Sequence, residues 1–282
     1  MSSHVGLARR STAGQEERVS PAIRFVLVRP RRSGNVGAIA RVLACFPVAE
    51  LVLVRPRTRI GTIAARRAVR GVGVLDRRRE VASFAEAVAD CVRIVGTIGR
   101  THGGREPVAA VRASAASIVA AAGSGPVAVV FGPEDHGLSR AEIGLCHELA
   151  TIPTGRDEES LNLSHAAAIF AYEILLAAGD PSASSALAGT PARGHRRQRL
   201  DAGAEPPTAA EREALVHHVG EALSAIGYLK AQRPARSLAE IRKLLDRVAP
   251  TRREVRLVRG IARRTLGALA RGLSATRPPT RS

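Results

Sequence analysis

The stretch VAVVFGPEDHGL, Val127 to Leu138, sets the fold. Its first half is a short, β-branched apolar run that stops at Gly132 and Pro133, and its second half is polar and closes on Gly137. A run this short, apolar throughout and ended by breakers, reads as a strand buried on both faces. The pattern repeats outward along the chain: IRFVLV at 23–28, ELVLV at 50–54, VRIVGT at 92–97 and ELATIP at 148–153 have the same character. Helical stretches lie between them, near 36–45, 62–69, 83–90, 107–122 and 139–147, with one more from Leu163 to Ala178. Alternating strands and helices predict an α/β domain, a mostly parallel sheet covered by helices.

Composition supports a packed core without aromatics. Apolar residues make up 45% of the 282 but aromatics only 2%, so the core must come from Ala, Val, Leu and Ile. The formal net charge is +18, carried by 41 Arg and two lysines, Lys230 and Lys243. Two readings of the arginines stand side by side: a surface for phosphates, which guanidinium groups bind bidentately, and the codon bias of a GC-rich genome. Their distribution is more informative. Residues 181–282 hold 20 Lys or Arg against 8 Asp or Glu, while residues 1–180 hold 23 against 17. A basic segment beside a more balanced domain is the footprint of a polyanion-binding protein. Cys45, Cys91 and Cys146 are too dispersed to signal a zinc site or a disulfide framework. No apolar run suggests a membrane span or signal peptide, so a soluble, cytoplasmic protein is expected.

Patterning divides the chain further. Residues 1–20 are polar and lack apolar periodicity, which predicts a disordered tail, and the α/β domain should occupy 21–179. Residues 180–208 are rich in Pro, Gly, Ala and Ser and carry Arg193, Arg196, Arg197 and Arg199, the composition of a flexible linker. Beyond it, three sets of apolar residues recur at helical spacing, beginning at Leu215, Leu238 and Val255. They predict a small basic α-helical unit over 209–270, with a tail at 271–282.

Ligands of open α/β sheets sit beyond the C-terminal strand ends, and three motifs fall there. After the first strand, Asn35, Gly37 and Arg41 have the spacing N-x-G-x-x-x-R; Asn35 suits a helix N-cap and Arg41 could face a phosphate. A capped helix with a solvated Arg explains the same residues. After the fourth, in Phe131–Leu138, Gly132 lets a ligand approach, Glu134 offers a carboxylate, and Gly137 can turn the chain. Consecutive Glu134, Asp135 and His136 diverge and lack a second ligand cluster, so His136 reads as a loop residue and no metal is expected. After the fifth, Ser160 and Asn162 stand at a helix entrance, where a cap is the simpler explanation. Ser160, Ser164 and His165 lack a G-x-S-x-G elbow, and no dinucleotide or P-loop fingerprint follows any strand.

Taken in order, N-x-G-x-x-x-R, F-G-x-E-x-x-G-L and I-P-x-x-x-x-x-x-S-L-N-L-S resemble the signature of the SPOUT superfamily, in its TrmH branch, across roughly residues 23–178. LVLVRPR followed by a C-terminal helical unit looks most like the TrmJ-type tRNA ribose methyltransferases. The resemblance implies a C-terminal trefoil knot in the catalytic domain, S-adenosylmethionine as methyl donor, and a homodimer. It implies a cofactor pocket of Thr97, Ile98, Gly99, Gly132, Ile152, Glu159, Ser160 and Leu161, and catalysis by Arg41 supported by Asn35, Glu134, Ser160 and Asn162. The implied activity is 2′-O-methylation of RNA ribose, on tRNA in the anticodon loop at a cytidine or uridine 32. A ribosomal RNA ribose methyltransferase would use the same motifs, and a catalytically silent RNA-binding protein would share the charge.

Overall fold

The computed structural model describes residues 23–46, 48, 50–99, 108–155, 161–179, 205–229 and 234–275. The expected N-terminal tail and most of the linker, with its Arg cluster at 193–199, lie outside them.

Among the described residues, seven parallel strands form one sheet. They are β1 (Ile23–Val28), β2 (Glu50–Val54), β3 (Arg79–Val81), β4 (Arg93–Thr97), β5 (Val108–Ala110), β6 (Val127–Phe131) and β7 (Glu148–Thr151). Their spatial order is β3-β2-β1-β6-β4-β7-β5. All six residues of β1 and all five of β6 are buried, and the two pair in register from Ile23↔Val127 to Leu27↔Phe131. This is why β6 is apolar throughout and β1 is apolar but for Arg24, whose buried guanidinium is paired with Asp90 and Glu50. Five strands lie where the apolar runs predict. The short edge strands β3 and β5 were not foreseen, and β5 takes up the first turn of the helix expected from 107.

Helices cover both faces, unequally. On one lie α1 (Ser33–Leu43), α2 (Thr62–Ala68), α3 (Val72–Asp76), α5 (Val111–Ala122) and α7 (Leu163–Ala177), which pack on Phe25, Leu27, Leu53 and Val129. The other is covered by two short helices, α4 (Phe84–Val88) and α6 (Arg140–Ile143), over Val26, Val52, Ile94 and Val130. Three longer helices follow: α8 (Ala209–Ala225), α9 (Pro234–Val248) and α10 (Arg252–Ala275), the last running past the expected boundary at 270.

The helical unit completes the thinly covered face. Ala209 belongs to the core cluster of α4 and α6. At the start of α8 the Ala209 amide donates to Cys91 O at 2.8 Å and the Ala210 amide to Ala89 O at 3.0 Å. Helix-terminal amides that would otherwise lack partners thereby meet carbonyls at the end of α4. Glu205, at the close of the expected linker, is ion-paired with Arg252 at 2.6 Å. The threading of a knot would turn on the segments after β4 and β7, and residues 100–107 and 156–160 of these lie outside the described residues.

Candidate active site

The loops after β1, β4, β6 and β7 gather around one cleft of about 430 Å³ at the C-terminal strand ends. Its size suits a small organic ligand. Phe131 and Phe170 form an apolar floor, their rings meeting edge to face at 5.6 Å. Ile98, Ile152, Leu161 and Leu163 add apolar walls, and Thr97, Thr151 and Thr154 add polar groups.

Six of the eight residues expected to hold a cofactor line this cleft: Thr97, Ile98, Gly99, Gly132, Ile152 and Leu161. Glu159 and Ser160 lie outside the described residues. The Ile98 amide is committed to Ala150 O at 3.0 Å, so any backbone contact from this residue falls to its carbonyl. Gly132 is required for a different reason from the one its position suggests. A Cβ there would stand 2.3 Å from the Gly137 carbonyl carbon and 2.4 Å from the Leu138 amide nitrogen, so the loop folds back on the strand end where only glycine fits. Gly137 turns that loop at φ +66°, as its place in the motif predicts.

The three motifs meet through Glu134. One carboxylate oxygen accepts from the Arg31 amide at 3.0 Å; the other accepts from the Arg32 amide at 3.2 Å and from Asn35 Nδ2 at 2.9 Å. Asn35 Oδ1 in turn accepts from Asn162 Nδ2 at 3.3 Å, and Asn162 Oδ1 caps α7 by accepting from the Ser164 amide at 2.9 Å. The N-cap of α1 is Arg32, whose side chain makes no capping bond. Asn35 therefore stands inside the first turn and not at the cap. Glu134, reaching across from the β6 loop, does the capping work and places a negative charge at the positive end of α1.

A second anchor lies behind the loop. Ser139 and Glu142 form a capping box on α6, a pattern visible in the sequence SRAE at 139–142. The Glu142 carboxylate also receives both arms of the Arg29 guanidinium. Burial raises the Glu142 acid, but the bonds from Arg29 and Ser139 more than offset it and hold the group below the usual carboxylate range. Arg29 sits at φ +48° just past β1, a conformation uncommon outside glycine. The fork on Glu142 holds its side chain in place.

Arg41 is not among the cleft-lining residues. It lies six residues beyond Asn35 on α1, about 9 Å along the axis, exposed, and its side chain has no hydrogen bond or ion pair among the described residues. At the cleft mouth are groups that sequence reasoning passed over. Asp135 binds His136 Nδ1 at 2.6 Å with one oxygen and Arg31 at 2.9 Å with the other. Among the described residues no three His, Cys, Asp or Glu side chains converge as a metal site requires.

A parallel α/β sheet with an apolar, polar-rimmed cleft at its strand ends, beside a basic helical unit, defines a ligand-binding enzyme domain joined to an accessory domain. Comparison with known proteins sharpens this. Residues 22–172 match the SpoU rRNA Methylase family, and residues 210–275 match the C-terminal domain of the tRNA methyltransferase TrmJ. The tRNA (cytidine/uridine-2'-O-)-methyltransferase TrmJ of Cronobacter sakazakii is 30% identical over 239 residues, covering 85% of this chain and 94% of the relative. Its counterpart in Escherichia coli K12 is 29% identical over the same share of this chain and 93% of its own. The crystal structure of TrmJ from Z. mobilis ZM4 superposes with a TM-score of 0.68 at 29% identity, covering 85% of this chain and 96% of that one. The chain belongs to the SpoU methylase family, among the members that carry a TrmJ-type C-terminal domain.

Proposed function

We propose that this chain is an S-adenosylmethionine-dependent tRNA ribose 2′-O-methyltransferase acting on cytidine or uridine 32 of the anticodon loop. The observation that carries this reading is the Glu134–Asn35–Asn162 chain of hydrogen bonds, which joins all three family motifs at the rim of a single cleft. In this reading Thr97, Ile98, Gly99, Gly132, Ile152 and Leu161, with Glu159 and Ser160, hold the cofactor. The cleft's apolar floor and backbone-rich walls fit an adenosine and need no phosphate cradle. S-adenosylmethionine, when bound, supplies a methyl group on a positively charged sulfur.

The chain's own task is to hold a ribose hydroxyl in line and to manage its proton. Asn35, Glu134 and Asn162 fix the loops on which that alignment depends, the family motif adding Ser160 to this supporting shell, and positioning of this kind supplies roughly 7 kcal/mol or more. Arg41, which stands outside the cleft, grips a target phosphate of the RNA that reaches into it. A guanidinium with a pKa above about 12 is poorly suited to accept the proton itself. Exposed Ile63 on α2 and Tyr172 on α7 are apolar surface suited to a homodimer. The arginines of α10 are suited to the RNA backbone.

Methylation of total tRNA and of ribosomal RNA with labelled cofactor tests the proposal: label enters tRNA, and mapping places it at nucleotide 32. Label confined to ribosomal RNA would instead assign the ribosomal activity. Arg41→Lys keeps the charge but loses the fork, so its methylation rate should fall at least tenfold. A rate equal to the parent's would remove Arg41 from this role.

A further inference from the structure

The proposed methyl transfer requires a proton acceptor, and the cleft contains one that the motifs do not assign. Among the described residues, three side chains with proton-accepting atoms line it: Glu134, Asp135 and His136. Both oxygens of Glu134 are occupied by N–H donors from Arg31, Arg32 and Asn35, so a proton there would break the cap of α1. Both oxygens of Asp135 are likewise engaged, one by His136 and one by Arg31. His136 differs. Its Nδ1 is held by Asp135 at 2.6 Å, while Nε2 has no partner among the described residues, and the side chain is 57% exposed at the cleft mouth.

An imidazole held through one nitrogen by a carboxylate, with the other nitrogen unpartnered on a residue that lines the cleft, has the form of a general base. We propose that His136, oriented by Asp135, accepts the ribose 2′-hydroxyl proton during methyl transfer. This rests on the methyltransferase reading above. The O–H bond breaks and its proton passes to His136 Nε2. The oxygen's electron pair forms the new bond to the methyl carbon, and the pair of the broken carbon–sulfur bond stays on sulfur, which becomes a neutral thioether. The imidazolium that results is stabilised by Asp135, whose charge Arg31 in turn balances. Arg32 and Glu134 are the other charged groups lining the cleft here.

The test uses the full chain and separates this proposal from the one it rests on. Single-turnover methylation of tRNA by the parent, across pH 5.5–9, should rise with pH along a limb set by one ionisation. Label transfer by the parent tests the methyltransferase reading by itself. His136→Gln should lower the single-turnover rate about 100-fold or more and abolish the limb. Its cofactor affinity by calorimetry, tRNA affinity by filter retention and thermal unfolding should match the parent's. Asp135→Asn, which removes the carboxylate that holds Nδ1, should lower the single-turnover rate at least tenfold with cofactor and tRNA affinity unchanged. A rate loss under tenfold in His136→Gln, a loss matched by weaker tRNA binding, a persisting limb in that variant, or an Asp135→Asn rate equal to the parent's would each overturn the assignment.

Discussion

Glu134 concentrates three roles in one side chain: it caps a helix from another loop, holds Asn35, and forms part of the cleft rim. Glu134→Ala leaves the Arg31 and Arg32 amides at the entrance of α1 without their side-chain partner and removes the carboxylate from the positive end of the helix. Loss of a helix cap costs about 1–2 kcal/mol, and urea denaturation of the variant should show a loss of that size. Cofactor affinity should fall with it, because the β1 and β6 loops lose their common anchor. Unchanged stability would mean that solvent replaces Glu134 at no cost. The sequence reading found Glu134 and Asn35 but could not show that one binds the other, since 99 residues separate them. It placed Asn35 at the cap because a local polar side chain is the usual solution, whereas here the cap comes from a distant strand end. His136 passed as an ordinary loop residue for the same reason: its relation to the cleft is set by how the loop folds back over Gly132, which no local pattern records.

At the scale of elements, long apolar runs were legible because a strand buried on both faces is apolar at nearly every position, Arg24 of β1 being tolerated through its pairing with Asp90 and Glu50. β3 and β5 escaped notice because they are three residues long and lie at the two edges of the sheet, where side chains are partly exposed and pairing is one-sided. Helix packing follows a different signal. Gly37 lies where α1 crosses α2, and a Cβ there would stand 2.1 Å from the backbone oxygen of Ala64. The obstacle is main chain and cannot rotate away. Gly37→Ala must push α2 off α1, and the expected loss is about 2–3 kcal/mol, at the upper end for overpacking, despite the better helix propensity of Ala. Thermal unfolding measures it. A variant as stable as the parent would show that α2 shifts freely on the sheet, and the motif's glycine would then need a reason other than packing.

Across the whole molecule, the uneven cover of the sheet explains where the C-terminal helices dock. α4 and α6 are too short to shield Ile94 and its neighbours, and α8 closes over them, leaving a cavity of about 330 Å³ between α4, α8 and α9. Charged groups are taken into this junction. Arg212 of α8 pairs with Asp246 of α9, and His147, just before β7, lines the same cavity. His147 Nδ1 accepts from the Ile94 amide at 2.9 Å, which requires the neutral ring at that nitrogen. Although one edge remains accessible, desolvation, with Arg212 and Arg93 nearby, pushes this imidazole down to about 3. Above pH 6.5 the ring is neutral in both folded and unfolded chains and contributes no pH dependence. Below that, the unfolded chain takes up a proton that the folded chain refuses until about pH 3, so stability falls with pH by at most about 1.4 kcal/mol per unit. Asp90, Glu142, Glu148 and Glu211, all held below the usual carboxylate range, lose stability in the same direction but only from about pH 4 downward. Burial raises Asp246, which works in the opposite sense as pH approaches the carboxylate range. The interval from pH 6.5 to 5 therefore isolates His147. The parent should lose about 1–2 kcal/mol across it in urea denaturation. His147→Gln, whose side-chain oxygen can still accept from the Ile94 amide, should show a nearly flat profile over the same interval. Parallel slopes for the two proteins would exclude His147 as the group that senses acid, and would place the junction between the catalytic domain and the basic helices outside the pH response.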